Sequence, residues 1–256
     1  MDRPSPWHGA GATHVGCVRP SNQDTFLVSN ELGLWIVADG MGGHAGGGVA
    51  SQKAVEAIHD YIAERVGHEG LPAGTDEPRA LFRSAIWYAN KSVRAYAKAH
   101  PAFTGMGTTV VLLYLPDPFS PLAWVAHVGD SRAYLIRDRQ ISTLTRDHTV
   151  LEEHIQQGLL PKSTPASHPD GHKLTRGVGI DSMIEADVSR IELEAEDEVL
   201  LCSDGLNKML NDQDMLNILI TTRPHTPEHQ CRALIDQANV RGGWDNTTVI
   251  LIARSR

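Results

Sequence analysis

Cysteine is scarce in this chain. Cys17, Cys202 and Cys231 lie far apart and form no CxxC pair, which excludes a disulfide framework and a zinc–thiolate site and points to a reducing compartment. No apolar run approaches the ~18–20 residues needed to span a bilayer. The opening residues, MDRPSPWHGAG, hold no apolar signal-peptide core, so a cytoplasmic protein with no membrane partner is expected. Lys and Arg form no block, and the formal net charge is −8; a nucleic-acid or anionic-membrane binder is not expected. Thirteen histidines occur without HxH or HExxH spacing, so no zinc site is read. GxSxG is missing, which argues against a serine hydrolase of that type. No Gly-Lys-Ser/Thr follows the glycines, which excludes a P-loop.

What remains is 256 residues of ordinary globular composition, 41% hydrophobic and 21% charged, with no repeat, low-complexity tract or linker. A single domain over 1–256 is expected. Residues 34–51, LWIVADGMGGHAGGGVAS, stand out. An apolar strand over 34–38 stops at Asp39-Gly40, a glycine-rich turn follows, and a helix runs to residue 66 on an apolar stripe that includes Ala54, Ile58 and Ile62. The glycines admit two readings, a backbone cradle for phosphate or a turn around a carboxylate that grips a metal.

Elsewhere the periodicity predicts a strand over 25–29 paired with 34–38, and a helix over 79–99. Strands at 108–115, 122–128, 133–137 and 140–145 read as an antiparallel meander. A short helix is expected over 147–158. Residues 159–181 are rich in Pro and Gly without a period, and 150–181 are read as a flap beside the site. Strands at 183–188 and 198–203, helices from 213 and 227, and a strand over 247–253 complete the chain. His127 is read as a packed histidine, and Thr108 and Thr109 as supports of the sheet.

Three places share one design, a strand running into a polar turn that carries an aspartate: Asp39, Asp130 and Asp204. Asp245-Asn246 mirrors them at the start of a strand. Carboxylates gathered on one rim repel one another unless protons or cations intervene. Hard divalent cations with oxygen ligands are the natural partners.

The segments RPSNQD, VADGMGGHAGG followed by VAS, GMGTT, HVGDSRAY, LTRDH, LCSDGL and WDNTT occur in that order from about residue 14 to 252. Together they resemble the metal-dependent serine/threonine protein phosphatases of type 2C, the PPM family, in their bacterial form. The resemblance implies an α/β sandwich of four layers, αββα, with two antiparallel β-sheets packed face to face and flanked by helices. It implies hydrolysis of phosphoserine and phosphothreonine on proteins by a water that two Mn²⁺ or Mg²⁺ ions activate, with a weaker third ion. Asp39 would bridge the two ions and Gly40 would lend its carbonyl. Asp204 and Asp245 would complete the pair, and Asp130 would share the third site with Asp204. Arg19 would bind the substrate phosphate through its guanidinium fork, and Asp24 would accept from a metal-bound water. Asn246 is a further candidate beside Asp245. The implied partners are phosphoproteins, including a cognate serine/threonine kinase whose action the enzyme reverses; a monomer is expected.

Two positions depart from the family's pattern. Met41 stands where many eukaryotic relatives carry a histidine proposed as general acid, and His44 is the remaining candidate nearby. Gly48 replaces an acid that bacterial relatives usually place before VAS. A dinucleotide-binding reading of Gly40-x-Gly42-x-x-Ala45 fails, because Asp39 would oppose a pyrophosphate and Asp60 lies within the helical stripe. A non-catalytic relative is disfavoured because Arg19 and all four expected aspartate ligands are retained.

Overall fold

The computed structural model describes residues 5–42, 46–66, 77–165, 168–223 and 225–254. Two antiparallel sheets form its centre. One has the order β1 (Trp7–His14), β11 (Thr247–Arg254), β10 (Glu198–Cys202), β7 (Arg132–Arg137), β8 (Gln140–Thr143). The other has the order β2 (Asp24–Ser29), β3 (Leu34–Met41), β5 (Val110–Tyr114), β6 (Leu122–Val128), β9 (Asp187–Glu192), with β4 (Gly107–Thr108) paired to the end of β3.

The alternation of side chains along β3 explains the layering. Leu34, Ile36 and Ala38 point to a core shared with helices α1 (Gly46–Val66) and α2 (Glu77–Ala99), where they meet Ile58, Phe82 and Ile86. Trp35 and Val37 point the other way, into a core between the sheets with Leu201 and Ile250. On the far side, Leu200, Cys202 and Leu251 pack against Met215 of α5 (Asp212–Thr221) and Leu234 of α6 (Pro227–Val240). A strand covered on both faces reads as a continuous apolar run, and residues 34–38 are all fully buried. The four-layer αββα sandwich is therefore the observed architecture.

The expected 108–145 meander is corrected in one respect. β5 and β6 pair, but the chain then leaves that sheet at residues 129–131, and β7 joins β10 in the other sheet. Gly129 makes the crossing with φ of 100°, a conformation that glycine adopts without a Cβ penalty. β6 pairs instead with β9, which begins at Asp187 rather than 183; Met183 is exposed and lies outside the ladder. A short helix, α4 (Asp204–Asn207), follows β10 directly where a loop was expected. α3 (Val150–Gln156) lies within the expected 147–158 helix.

Candidate metal and phosphate site

The two sheets deliver their polar turns to one end of the sandwich. Asp24 opens β2 directly across from Asp39 near the end of β3. The end of β10 lies beside the start of β11, and Asp204 and Asp245 flank those strands. Asp130 sits in the crossing between the sheets. Asp39, Asp130, Asp204 and Asp245 line one cleft of about 520 Å³, together with Arg19, Gly40, Met41, Lys208 and Asn246. Four acids that lie up to 206 residues apart in sequence (245 − 39) thus share one wall.

The rim is built to hold these acids rigidly. The Asp39 N–H donates to Thr109 Oγ1 at 3.0 Å, and the Thr108 hydroxyl donates to the Asp39 carbonyl at 2.9 Å. Thr109 also lines the cleft. Asp24 Oδ2 accepts from Ser203 Oγ at 2.8 Å and Thr248 Oγ1 at 2.7 Å, which ties one sheet to the other beneath the cleft. Thr109 and Ser131 share a hydroxyl bond of 2.7 Å across the same seam.

Burial and mutual repulsion set the protonation of this rim. Burial, then the charge of Asp204, raises the Asp130 carboxyl to about 7. Burial raises Asp24 to about 6 even though two hydroxyls donate to it. Asp39 is raised well above the ordinary value, first by burial and then by Asp24, Asp204 and Asp130. One cation inside the rim relieves some of this strain: Lys208 pairs with Asp204 one helical turn back. Burial draws the Lys208 ammonium down, but Asp204 outweighs it and the net shift is upward.

The residues present fit hard divalent cations. All the donors are oxygens, and Asp24 Oδ1 and Asp204 Oδ1 are buried without a hydrogen-bond partner, which is a costly arrangement unless something positive is bound there. Gly40 packs against the backbone of Gly47 so closely that a Cβ would lie 2.1 Å from its carbonyl oxygen; only glycine fits the position.

Arg19 lies at the cleft mouth, with Nη2 donating to Asp245 Oδ2 at 2.7 Å and more than half of its side chain exposed. That bond raises its already high pKa, so its charge is permanent. Asn246 does not present its amide to the cleft alone: Oδ1 accepts from the Gln23 N–H, and Nδ2 donates to the carbonyls of Val15 and Ser21, at 2.8–2.9 Å. It knits down the 15–23 loop that carries Arg19. His44 lies outside the described residues.

Four features of the site were not drawn from the sequence. Lys208 pairs with Asp204 only through the short helix α4, which was not expected there. Ser203 and Thr248 reach Asp24 only through the pairing of the sheets. His148 forms the fourth, with His127 and Asp187: their ligand-type atoms lie within 4.8 Å of one another. His127 is packed, as expected, stacked on His148 with ring centroids 4.6 Å apart. Arg176 Nη1 bonds Asp187 Oδ1 at 2.8 Å and lies 3.2 Å from His148 Nε2. A guanidinium thus stands where a cation would, and the cluster works as a clamp. It holds the 173–178 limb, which also pairs with Val150 and Thr108 through backbone bonds. Leu174 of this limb and its neighbour His172 line the cleft.

Comparison with known proteins agrees with this geometry. A family profile described as protein phosphatase 2C matches residues 10–236. The serine/threonine phosphatase stp of Listeria monocytogenes is 34% identical over 250 residues, covering 96% of each chain. The crystal structure of the Mycobacterium tuberculosis serine/threonine phosphatase PstP superposes with a TM-score of 0.85 at 30% identity, covering 98% of this chain and 99% of that one. A PstP catalytic domain solved in complex with two manganese ions superposes with a TM-score of 0.81 at 28% identity, over 98% and 99% of the two chains.

Proposed function

The chain belongs to the protein phosphatase 2C family and is a metal-dependent serine/threonine phosphatase of phosphoproteins. On that premise we propose that Asp39, Asp204 and Asp245, with the Gly40 carbonyl, hold two divalent cations, Mn²⁺ or Mg²⁺, and that Asp130 with Asp204 takes a weaker third. The observation that supports this is the convergence of four acids from both sheets on one cleft, two buried carboxylate oxygens nearby having no donor. When bound, such cations supply charge neutralisation and activation of water at neutral pH.

The protein's own residues do the rest. Arg19 reaches over the cleft from a loop fixed by Asn246 and offers guanidinium donors to the phosphate oxygens. The partial pairing of Arg19 with Asp245 positions it without burying it. Asp24, anchored by Ser203 and Thr248 through one oxygen, keeps the other buried without a hydrogen-bond partner beneath the cleft and orients a nearby water. Lys208 offsets part of the negative charge of the rim and limits its self-repulsion. Met41 carries no exchangeable proton, so the proton for the departing seryl or threonyl oxygen comes from water or from another group of the cleft. In the cell the protein acts as a monomer that reverses a serine/threonine kinase.

Hydrolysis of an aryl phosphate with and without Mn²⁺, in the native protein and in Asp39→Asn, tests this reading. The native rate depends on the metal, and the variant loses at least ~10²-fold, the scale of removing one transition-state charge stabiliser. A rate that ignores metal, or a variant at full rate, contradicts the assignment.

A further inference from the structure

A second groove, of about 710 Å³, lies along α2. Its floor is one helical stripe, Trp87, Lys91, Arg94 and Lys98, spaced three or four residues apart so that they share a face. The opposite wall is Ile180, at the end of the clamped flap limb, and one end is Gly105. Trp87 and Ile180 are 45% and 43% exposed, so the floor offers apolar surface to a partner.

The groove's charges are all of one sign. Among the described residues no carboxylate lines the groove. Among the described residues Lys91, Arg94 and Lys98 form no ion pair, and the three stand together on one helix face, whereas the cations of the catalytic cleft, Arg19 and Lys208, are each held by a carboxylate. Lys91 Nζ rests 5.5 Å from the Trp87 ring centroid, and Arg94 Nη1 donates to the Ile180 carbonyl at 2.6 Å. Three cations without carboxylate partners, around an apolar floor, on a molecule of net charge −8, complement an acidic segment that carries a bulky apolar side chain. A polyanion such as nucleic acid would be repelled by the rest of the surface.

The groove is also close to the catalytic cleft. Gly107, two residues beyond Gly105, pairs with Met41, and Met41 lines the cleft. A narrow backbone strip thus separates the two hollows. From Trp87 to Lys98 the stripe runs ~16 Å at the helical rise, the length of about five residues of extended chain.

We propose that this groove docks an acidic, apolar-anchored segment of the phosphoprotein substrate, about five residues long, while the phosphorylated residue enters the cleft across residues 105–107. The proposal rests on the phosphatase reading above. It assigns the protein a preference that lies outside the chemistry of phosphate release.

The test uses the double variant Lys91→Glu/Lys98→Glu, two exposed lysines away from the cleft. A labelled, unphosphorylated peptide of four acidic residues around one leucine is titrated onto both proteins. Hydrolysis is then followed for an aryl phosphate, for a phosphothreonine peptide, and for the same peptide joined to the acidic segment by Gly/Ser linkers of several lengths. Native protein is expected to bind the acidic probe in a salt-sensitive way, and the variant about tenfold more weakly. The acidic segment lowers KM about tenfold on native protein at the optimal linker and not on the variant, while kcat and aryl phosphate turnover are unchanged. Equal probe binding by both proteins, equal KM with and without the segment at every linker length, or equally tight binding of a short DNA duplex would overturn the proposal. Probe binding is read without catalysis, so a failure of the phosphatase reading shows separately, as native protein that binds the probe but hydrolyses nothing.

Discussion

Asp24, Asp39 and Asp130 keep their protons to higher pH than free aspartates, first because they are buried and then because the Asp204 carboxylate stands near each of them. The sign of the consequence follows. Between the ordinary carboxylate range and about pH 7 the folded rim binds more protons than the unfolded chain does. Its contribution to stability is therefore full at low pH and is lost as pH rises through about 6 for Asp24 and about 7 for Asp130. Each tenfold gain in proton affinity on folding corresponds to ~1.4 kcal/mol. Thermal melts of chelator-treated protein test this, with Asp130→Asn as the reference. Relative to the variant, the native protein should lose stability between pH 5 and 8, and Mn²⁺ should restore more at pH 8 than at pH 5. A native-minus-variant difference that does not change with pH contradicts it. At this scale the aspartates were legible, since each stands at an abrupt end of an apolar run. Ser203 and Thr248 were not, because their partner Asp24 is 179 and 224 residues away and no local pattern encodes that pairing; Asn246 was named beside Asp245, but its hold on the 15–23 loop, through Gln23 223 residues away, was not.

Elements were easier to find than their sheet membership. The apolar runs of β3, β5, β6 and β10 announce buried strands, but a run covered on both faces carries no mark of the sheet it joins. The meander expected across residues 108–145 was therefore divided between two sheets at Gly129. The aperiodic 159–181 segment proved to be two unlike parts. Residues 173–178 are pinned by Arg176 and by backbone bonds to Thr108 and Val150, whereas the backbone bonds of the described residues in 159–172 reach no farther than α3 and their own turns, and His172 lines the cleft. Replacing 159–172 by a Gly/Ser linker should alter KM for phosphoproteins while leaving aryl phosphate turnover within about threefold, a split that separates substrate contacts from transition-state contacts. Equal losses on both substrates would refute a flap role.

The whole molecule is three apolar layers between four structural ones, and the site sits where the middle layer ends. Leu201 and Ile250 from one sheet meet Val37 and Val111 from the other, and the same strands continue into Asp204, Asp245 and Asp39. Leu201→Ala should destabilise the fold by ~2–5 kcal/mol through the cavity it leaves, read as a lowered urea midpoint. At 25 °C, well below its melting point, the variant should keep its metal-dependent rate. A loss of rate without loss of stability would mean that the seam between the sheets tunes the rim directly. The sandwich as a whole was legible only through the ordered series of motifs, since composition and periodicity are shared with many α/β folds.

Anomalous scattering from crystals grown with Mn²⁺ tests the central claim most directly. The arrangement of acids predicts two strong manganese peaks among Asp39, Asp204, Asp245 and the Gly40 carbonyl, both lost in Asp39→Asn, with any weaker peak at Asp130. Peaks elsewhere, such as between His127, His148 and Asp187, or an undisturbed pair in the variant, would contradict it.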